Sequence, residues 1–439
     1  MSETIKGKRL FTVARVFFLL IVIPLSLMAI LIANGIFKLG VTVKERTVNV
    51  LDQKSQEEIK IRAINTADEV ANFLMERKKD ILIATIIPAS DAAFKKFVNE
   101  NKKNLWIKEN GQIRQVNAPI YTEMSFIDKN GKEQIKISNG EIVPEAKLAN
   151  VGTMAATLYK NENYFAKTKN LNKGDIYISP VTGWYVNRID FEKGKRFSGI
   201  VQFATPVFAK EGFVGVISLT LDYRHIAAYT DHVIPTQAAP VYEADASTGN
   251  YAFMVDHRGF IISHPNDYHI EGLDASGTPV PPITQANSAE LTKKGEEVLN
   301  LTHLSFMDPN LPEVNREAAA GKSGIKMYKF GGHTKFVAYA PIKFFTKFTQ
   351  EPGGFGWVGM GIDVEKLSEI AIKTAQNIDK EAKAWTTTII LILTISVIIL
   401  FLILALLARG ITRSIAAEVP QGSEGEDQFN DDSEEDEDK

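Results

Sequence analysis

The chain contains no cysteine. This absence removes disulfides, cysteine-ligated zinc and thiol catalysis together. Neither sign of charge is in excess: 50 Lys and Arg stand against 53 Asp and Glu, for a formal net charge of −3. A nucleic-acid binder would carry a basic footprint, and none is present. Histidine is sparse, with seven residues, all between His225 and His333. There is no P-loop, no His-Glu-x-x-His and no Gly-x-Ser-x-Gly. Adjacent carboxylates such as Glu296-Glu297 fall on a stretch that reads as a solvated helix. The chain therefore reads as a non-enzyme, and no cofactor is implied.

What is present is apolar and unevenly placed. Hydrophobic residues make up 45% of 439 residues, enough for two or three domains with cores of their own. Val16–Ala33 is almost entirely apolar, within a nearly apolar Leu10–Phe37, and Trp385–Leu407 is the second such run. Each matches the ~20 residues that cross a bilayer as a helix. The first is too long for the h-region of about 7–15 residues in a cleaved signal peptide. Lys6, Lys8, Arg9 and Arg15 before the first run, and Arg409 and Arg413 after the second, favour cytoplasmic ends. Lys38, Lys44, Arg46, Lys373, Lys380 and Lys383 on the opposite flanks weaken that bias. The region between the runs is expected outside the cytoplasm.

Glycine and proline are missing from Val41 to Ile87, and Ile64, Ala67, Ala71 and Leu74 recur at helical spacing. One long amphipathic helix is expected there, roughly 70 Å at 1.5 Å per residue, ended by Pro88. Ala92–Lys103 predicts a short helix. Strands are expected at Glu123–Asp128 and Glu133–Ser138, turning at Lys129-Asn130-Gly131. The segment Asp175–Tyr223 holds three β-rich runs, Ile176–Pro180, Gly199–Val207 and Phe213–Asp222, rich in Val, Ile, Phe and Thr. It reads as the middle of an antiparallel sheet. Pro235, Pro240 and Gly249 mark a connector. Further strands follow at Ala252–His257, Phe260–His264, Lys326–Phe330, Lys335–Pro341 and Gly356–Asp363, with a helix around Ser288–Leu301.

The two halves repeat. Phe126-Ile-Asp128…Gly131 is answered by Met254-Val-Asp256…Gly259, Phe203-Ala-Thr-Pro206 by Val337-Ala-Tyr-Ala-Pro341, and Val214–Asp222 by Trp357–Asp363. The offset runs from 128 residues (Asp128 to Asp256) to 141 (Asp222 to Asp363), too long for a solenoid unit. The order of elements, with Asp128-Lys-Asn-Gly131, Tyr177-Ile-Ser-Pro180, Ala204-Thr-Pro206, Asp256-His-Arg-Gly259, His264-Pro265, Tyr339-Ala-Pro341 and Gly354-Phe-Gly-Trp-Val-Gly359, resembles the double Cache sensor domain of bacterial receptors. The resemblance covers about 330 residues. It implies an α+β fold: two tandem PAS-like modules on a long N-terminal helix, one distal and one proximal to the membrane, flanked by two transmembrane helices. It also implies a small-molecule site in the distal module. Members that bind amino acids carry Arg-x-x-Trp-Tyr ahead of the Tyr-x-Ser-Pro strand. Here Asn161-Glu-Asn-Tyr-Phe165 stands in that place, which leaves the ligand class open.

The candidate ligand-binding residues are Tyr164, Tyr177, Ser179, Trp184, Tyr185, Arg188, Asp190, Thr205 and Asp222. Aromatic walls with a few placed polar groups suit a small molecule. Arg188 could clamp a carboxylate, and Asp190 or Asp222 could take an amine. Trp184–Asp190 has no counterpart in the second half and is the expected seat of specificity. His257, His264, Asp267 and His269 lie close in sequence; imidazole and carboxylate suit zinc or nickel, but an ordinary turn is the stronger account and no metal site is expected. Leu407–Ile415 resembles the opening of a HAMP relay helix; Pro420, Gly422 and Gly425 should break it, and acidic Glu424–Lys439 should be disordered.

The expected organisation is a cytoplasmic start (1–9), a first span (10–37), a stalk helix with the distal module (38–230) and the proximal module (231–363). A connecting helix (364–384), a second span (385–407) and the acidic tail (408–439) complete it. On this reading the chain is a homodimeric two-pass protein of the bacterial inner membrane. It has no output domain and passes a ligand-induced change to a separate cytoplasmic signalling protein. The alternative is an accessory or scaffold protein that binds a protein partner through its outer domain or tail.

Overall fold

The computed structural model describes residues 2–109 and 111–418. Two compact units result: Met1–Asn49 with Ile372–Lys439, and Val50–Ala371. Helices α1 (Ser2–Ala84) and α8 (Val364–Glu418) contribute to both. In the first unit, Phe18–Leu39 and Lys373–Leu407 are each long and apolar enough to cross a membrane, with mean hydropathy of 2.5 and 3.4. Thr386, Thr387, Thr388 and Thr394 donate their hydroxyls to carbonyls four residues earlier, which satisfies them within the helix. Leu407–Ile415 is helical, a backbone that a relay helix and a plain continuation of the span share. The expected break at Pro420 and the acidic tail lie outside the described residues.

In the second unit α1 buries Ile59, Ala63, Ala67, Val70, Leu74, Ile81 and Ala84. The three-four spacing keeps them on one face, and the alanines let a sheet approach closely. Ile64 and Ala71 flank this stripe, partly buried. The helix ends at Ala84, where Thr85 donates both its N–H and its hydroxyl to the Leu82 carbonyl. Helix α2 (Asp91–Glu100) follows, its start capped by Ser90 Oγ. A hairpin of β1 (Lys102–Glu109) and β2 (Gln112–Pro119) then departs from the sequence expectation of helix to Lys103. Its mostly polar, largely exposed residues show no clear alternation.

The first sheet contains β3 (Tyr121–Asp128), β4 (Glu133–Ser138), β5 (Glu141–Ile142), β6 (Tyr177–Ile178), β7 (Thr182–Gly183), β8 (Gly199–Ala209) and β9 (Gly212–Asp222). Its order is β5-β4-β3-β9-β8-β6, with β7 also on β8. The expected Ile176–Pro180 strand is cut to two residues, because Pro180 has no N–H to continue the ladder. The second sheet contains β10 (Tyr251–Asp256), β11 (Ile261–Ser263), β12 (Gly324–Phe330), β13 (His333–Ile342) and β14 (Gly356–Asp363), in the order β11-β10-β14-β13-β12. Apart from β5 and β7, both sheets follow the order second-first-fifth-fourth-third, and every pairing is antiparallel. The sequence repeat is thus a repeat of topology.

The first turn of each module is built alike. Asp128 Oδ1 accepts the N–H groups of Asn130 and Lys132, and Gly131 sits at φ +89°. Asp256 Oδ1 accepts those of Arg258 and Phe260, and Gly259 sits at φ +90°. Only glycine takes this φ without steric cost, which explains why Asp and Gly recur together.

Alternation divides the first sheet. Val201, Phe203, Ile217, Leu219 and Leu221 join α1 in one buried core that continues into the second module. Each such side chain contributes about 1.5–3 kcal/mol relative to exposure. The neighbouring Gln202, Ser218 and Thr220 are equally buried, but polar, and lie on the other face. Helix α5 (Arg224–Asp231) leads to the connector, whose Ile234 and Pro235 carbonyls accept Arg62 Nη1 at 3.0 Å each. In the second module, α6 (Ser288–Lys294) stops at Gly295, φ +74°, and a further helix, α7 (Asn310–Ala319), was not expected from the sequence. It buries Leu311, Val314 and Ala318, and its Asn315 Oδ1 accepts Trp357 Nε1 at 2.9 Å.

Two carboxyl groups sit at the junction of the modules. Asp231 Oδ1 accepts Ser263 Oγ at 2.8 Å, and Asp267 Oδ2 accepts the Phe197 N–H at 2.5 Å. Burial pushes Asp231 up to about 7 and Asp267 up to about 6. A carboxyl raised on folding supports the fold fully below its unfolded pKa, and that support is lost as pH rises through the folded value. Asp231→Asn keeps an oxygen for Ser263 without the charge. Its melting temperature should match wild type near pH 3.5, rise above it from about pH 4, and hold a constant advantage above about pH 7. Thermal melts across that range check this; an equal offset at every pH would contradict it.

Candidate ligand-binding site

A cavity of about 380 Å³ opens between the modules. The first module supplies Asn161–Tyr164 from the approach to α3 (Tyr164–Thr168), then Lys167, the β6–β7 segment Tyr177–Gly183, and Gln202. The second supplies His257, Arg258, Glu271–Leu273, Pro279 and Phe348. The Tyr177 ring meets Phe348 edge-on at 4.9 Å, and its hydroxyl points to Asn163 Oδ1 at 3.4 Å. Ser179 Oγ donates to the Pro180 carbonyl at 2.7 Å and accepts the Gln202 N–H at 2.8 Å. Gln202 Oε1 in turn accepts Thr220 Oγ1 at 2.9 Å. Backbone and side-chain bonds thus fix this wall.

Charge in the cavity is unequally matched. Arg258 donates Nε to Asp256 Oδ2 at 2.7 Å and Nη1 to Glu271 Oε1 at 3.2 Å. Burial opposes its charge, but these two carboxylates outweigh it and raise its pKa. Glu162 Oε2 accepts the Tyr159 N–H at 3.1 Å, and burial raises its pKa. Behind the cavity the polar face of the first sheet carries Glu123, Ser125, Lys136 and Ser218. Lys136 Nζ lies 3.1 Å from both Glu123 and the fully buried Glu133. The Tyr164 hydroxyl is held well above its ordinary pKa by burial and then by Glu133, Glu162 and Glu123.

Of the residues singled out in the sequence, Tyr164, Tyr177 and Ser179 line this cavity. Thr205 does not: it is paired with Ile217 on the α1 side of β8, and its hydroxyl donates to the Asp175 carbonyl at 2.8 Å. Asp222 ends β9 and is engaged by Arg224, with Nη2 at 2.6 Å from Oδ2.

Three others, Trp184, Tyr185 and Arg188, belong to a seam between the modules, while Asp190 pairs within its own module. Trp184 bridges to Leu273 in parallel, and its ring lies 5.1 Å from that of Tyr159, tilted by 58°. Around it the Leu273 N–H donates to the Gly183 carbonyl at 2.8 Å and the Tyr185 N–H to the Leu273 carbonyl at 2.9 Å. The Tyr185 hydroxyl donates to the Tyr268 carbonyl at 2.9 Å and accepts the Glu297 N–H at 2.8 Å. Arg188 pairs with Glu297 at 2.8 Å and lies over the Tyr268 ring. Asp190 lies in the first turn of the short helix α4 (Arg188–Glu192) and pairs with Lys195 at 3.2 Å. Gly272 meets the Tyr185 backbone so closely that a Cβ there would lie 2.6 Å from Tyr185 Cα.

Sequence reading passed over Glu162, Gln202, Arg258, Glu271 and Phe348. Gln202 was findable, since it is the polar residue that alternates with Val201 and Phe203 on a strand already assigned. The other module's contribution had no local signal. His264 and His269 are buried with rings 4.8 Å apart, and burial lowers His269 to about 4. Among the described residues no group of three or more His, Asp or Glu is placed to hold a metal ion.

The solved structures that resemble the chain include the extracellular domain of a protein named as histidine kinase vpHK1S-Z8. It has 14% identity and a TM-score of 0.42, covering 75% of this chain and 99% of that one. A sensory box/GGDEF family domain from Vibrio parahaemolyticus gives 14% and 0.42, with 74% and 100% covered. The ligand-binding domain of the Pseudomonas aeruginosa amino acid chemoreceptor PctC, in complex with GABA, gives 14% and 0.36, with 68% and 95% covered. No curated protein sequence matches. The sequence model described as Cache domain matches residues 44–394, most of the chain. With two sheets of one topology following a long N-terminal helix, the chain is a member of the double Cache family.

Proposed function

We propose that the chain is a membrane-anchored extracytoplasmic sensor whose ligand occupies the cavity between the two modules. The observation that carries this reading is that both modules wall one polar-and-aromatic cavity of about 380 Å³, a size that suits a small molecule. A ligand touching both walls favours one arrangement of the modules over another, which is what a two-state sensor needs. The cavity wall Ser179–Gly183 runs directly into Trp184–Arg188, so a shift of the wall is delivered to the seam. Asp363, the last residue of β14, is followed at once by α8, which carries the second apolar stretch. That continuity, with the flanking Arg409 and Arg413, supports a relay through the membrane to a separate cytoplasmic protein. In this arrangement 38–230 is the distal and 231–363 the proximal module, and a homodimer is the working assembly.

Asn161→Trp places bulk at a part-buried loop position that lines the cavity. Full-length protein in nanodiscs, melted against a library of small metabolites, should show compounds that raise the wild-type melting temperature and leave Asn161→Trp unmoved. Hits that stabilise both equally would place the ligand elsewhere.

Tyr185→Phe removes one hydroxyl that serves both Tyr268 and Glu297 across the seam. Leaving these backbone groups unmet should cost about 1–3 kcal/mol in urea unfolding. A loss below measurement error would mean that the seam is not a structural contact.

A further inference from the structure

The geometry points to an organic cation, an amine or quaternary ammonium, as the class of ligand that the cavity accepts. This rests on the reading of the cavity as the ligand site and adds the sign of charge it selects. Every ionisable side chain on the lining can be followed. Arg258 already faces two carboxylates, Asp256 and Glu271, so its guanidinium is not available to grip a ligand carboxylate. Arg188 is engaged by Glu297 and does not line the cavity. Lys167 is exposed on α3 and sits at the rim in water, where a lysine ammonium is strongly hydrated. His257 lies on the second-module wall.

Glu162 is the contrast. Its carboxyl takes the Tyr159 N–H and the Thr157 hydroxyl, both neutral donors, and among the described residues no Lys or Arg forms an ion pair with it. The carboxyl lines the cavity beside Tyr164 and Tyr177. Behind it, Glu123 and Glu133 share the single ammonium of Lys136, so that group adds a further net negative charge. The neutral part of the wall agrees in kind. Tyr164, Tyr177 and Phe348 offer aromatic rings, whose faces attract a cation and not an anion. An anionic ligand would meet Glu162 and Glu271 with no free guanidinium to offset them.

The probes are benzylamine, tetramethylammonium and benzoate, the first and last being similar in shape and opposite in charge. Each is titrated calorimetrically into the full-length chain in phosphatidylcholine nanodiscs at pH 7.5. Saturable binding of at least one cation is expected, with none of benzoate. Glu162→Gln should weaken the cation about tenfold or more. Lys167→Glu, at an exposed position that does not depend on the fold of the wall, should tighten it. Benzoate binding that Asn161→Trp abolishes would overturn the cation assignment while leaving the cavity as the site. Cation binding that survives Asn161→Trp would overturn the cavity itself. No binding of either cation at millimolar concentration, or a cation affinity that neither charge variant changes, would overturn the inference.

Discussion

The contact on which the two-module unit of this molecule depends is the strip of main chain joining Gly183–Tyr185 to Leu273. Two backbone hydrogen bonds and the Tyr185 hydroxyl fasten an insertion of the first module onto a loop of the second. Backbone pairing fixes position in a way side-chain contact does not, since both donors and acceptors must align together. Gly272 is what allows the approach, because any side chain there would strike the Tyr185 backbone. The cavity exists because this strip holds Ser179–Gly183 facing Arg258 and Glu271. If the strip moves, the two walls part.

The sheets themselves are conservative partners in this arrangement. Each uses the same strand order, and each begins with an Asp that organises its turn and a Gly that completes it. What differs is the space beside one face of each sheet. In the first module that face is polar and lies behind a cavity. In the second, His264, Tyr251, Tyr328 and several leucines leave space for about 30 Å³. That is room for little more than a water.

Much of the fold could be read in the sequence, and the reasons are physical. Gly199–Ala209 and Gly212–Asp222 are dense in β-branched and aromatic residues, and the halves repeat wherever turn chemistry demands Asp and Gly. The Lys102–Pro119 hairpin was not legible, because a mostly exposed hairpin needs no apolar alternation. Thr205 lies on the face of β8 opposite Gln202 and Ala204, which the alternation along the strand already implies. Trp184, Tyr185, Arg188 and Asp190 present a harder problem. Aromatic rings interleaved with a charged pair are what a ligand pocket and a docked surface both require. Only the three-dimensional arrangement shows Leu273, Tyr268 and Glu297 on the other side, some 80 to 110 residues away along the chain.

The central claim is that one ligand engages both modules at once, so the decisive measurement reports on both walls in one experiment. Amide hydrogen exchange of the full-length protein in nanodiscs, with and without a saturating ligand, does this. Slower exchange is predicted together in residues 177–183 of the first module and 257–273 of the second. Protection confined to one module, with the other wall unchanged, would contradict the account.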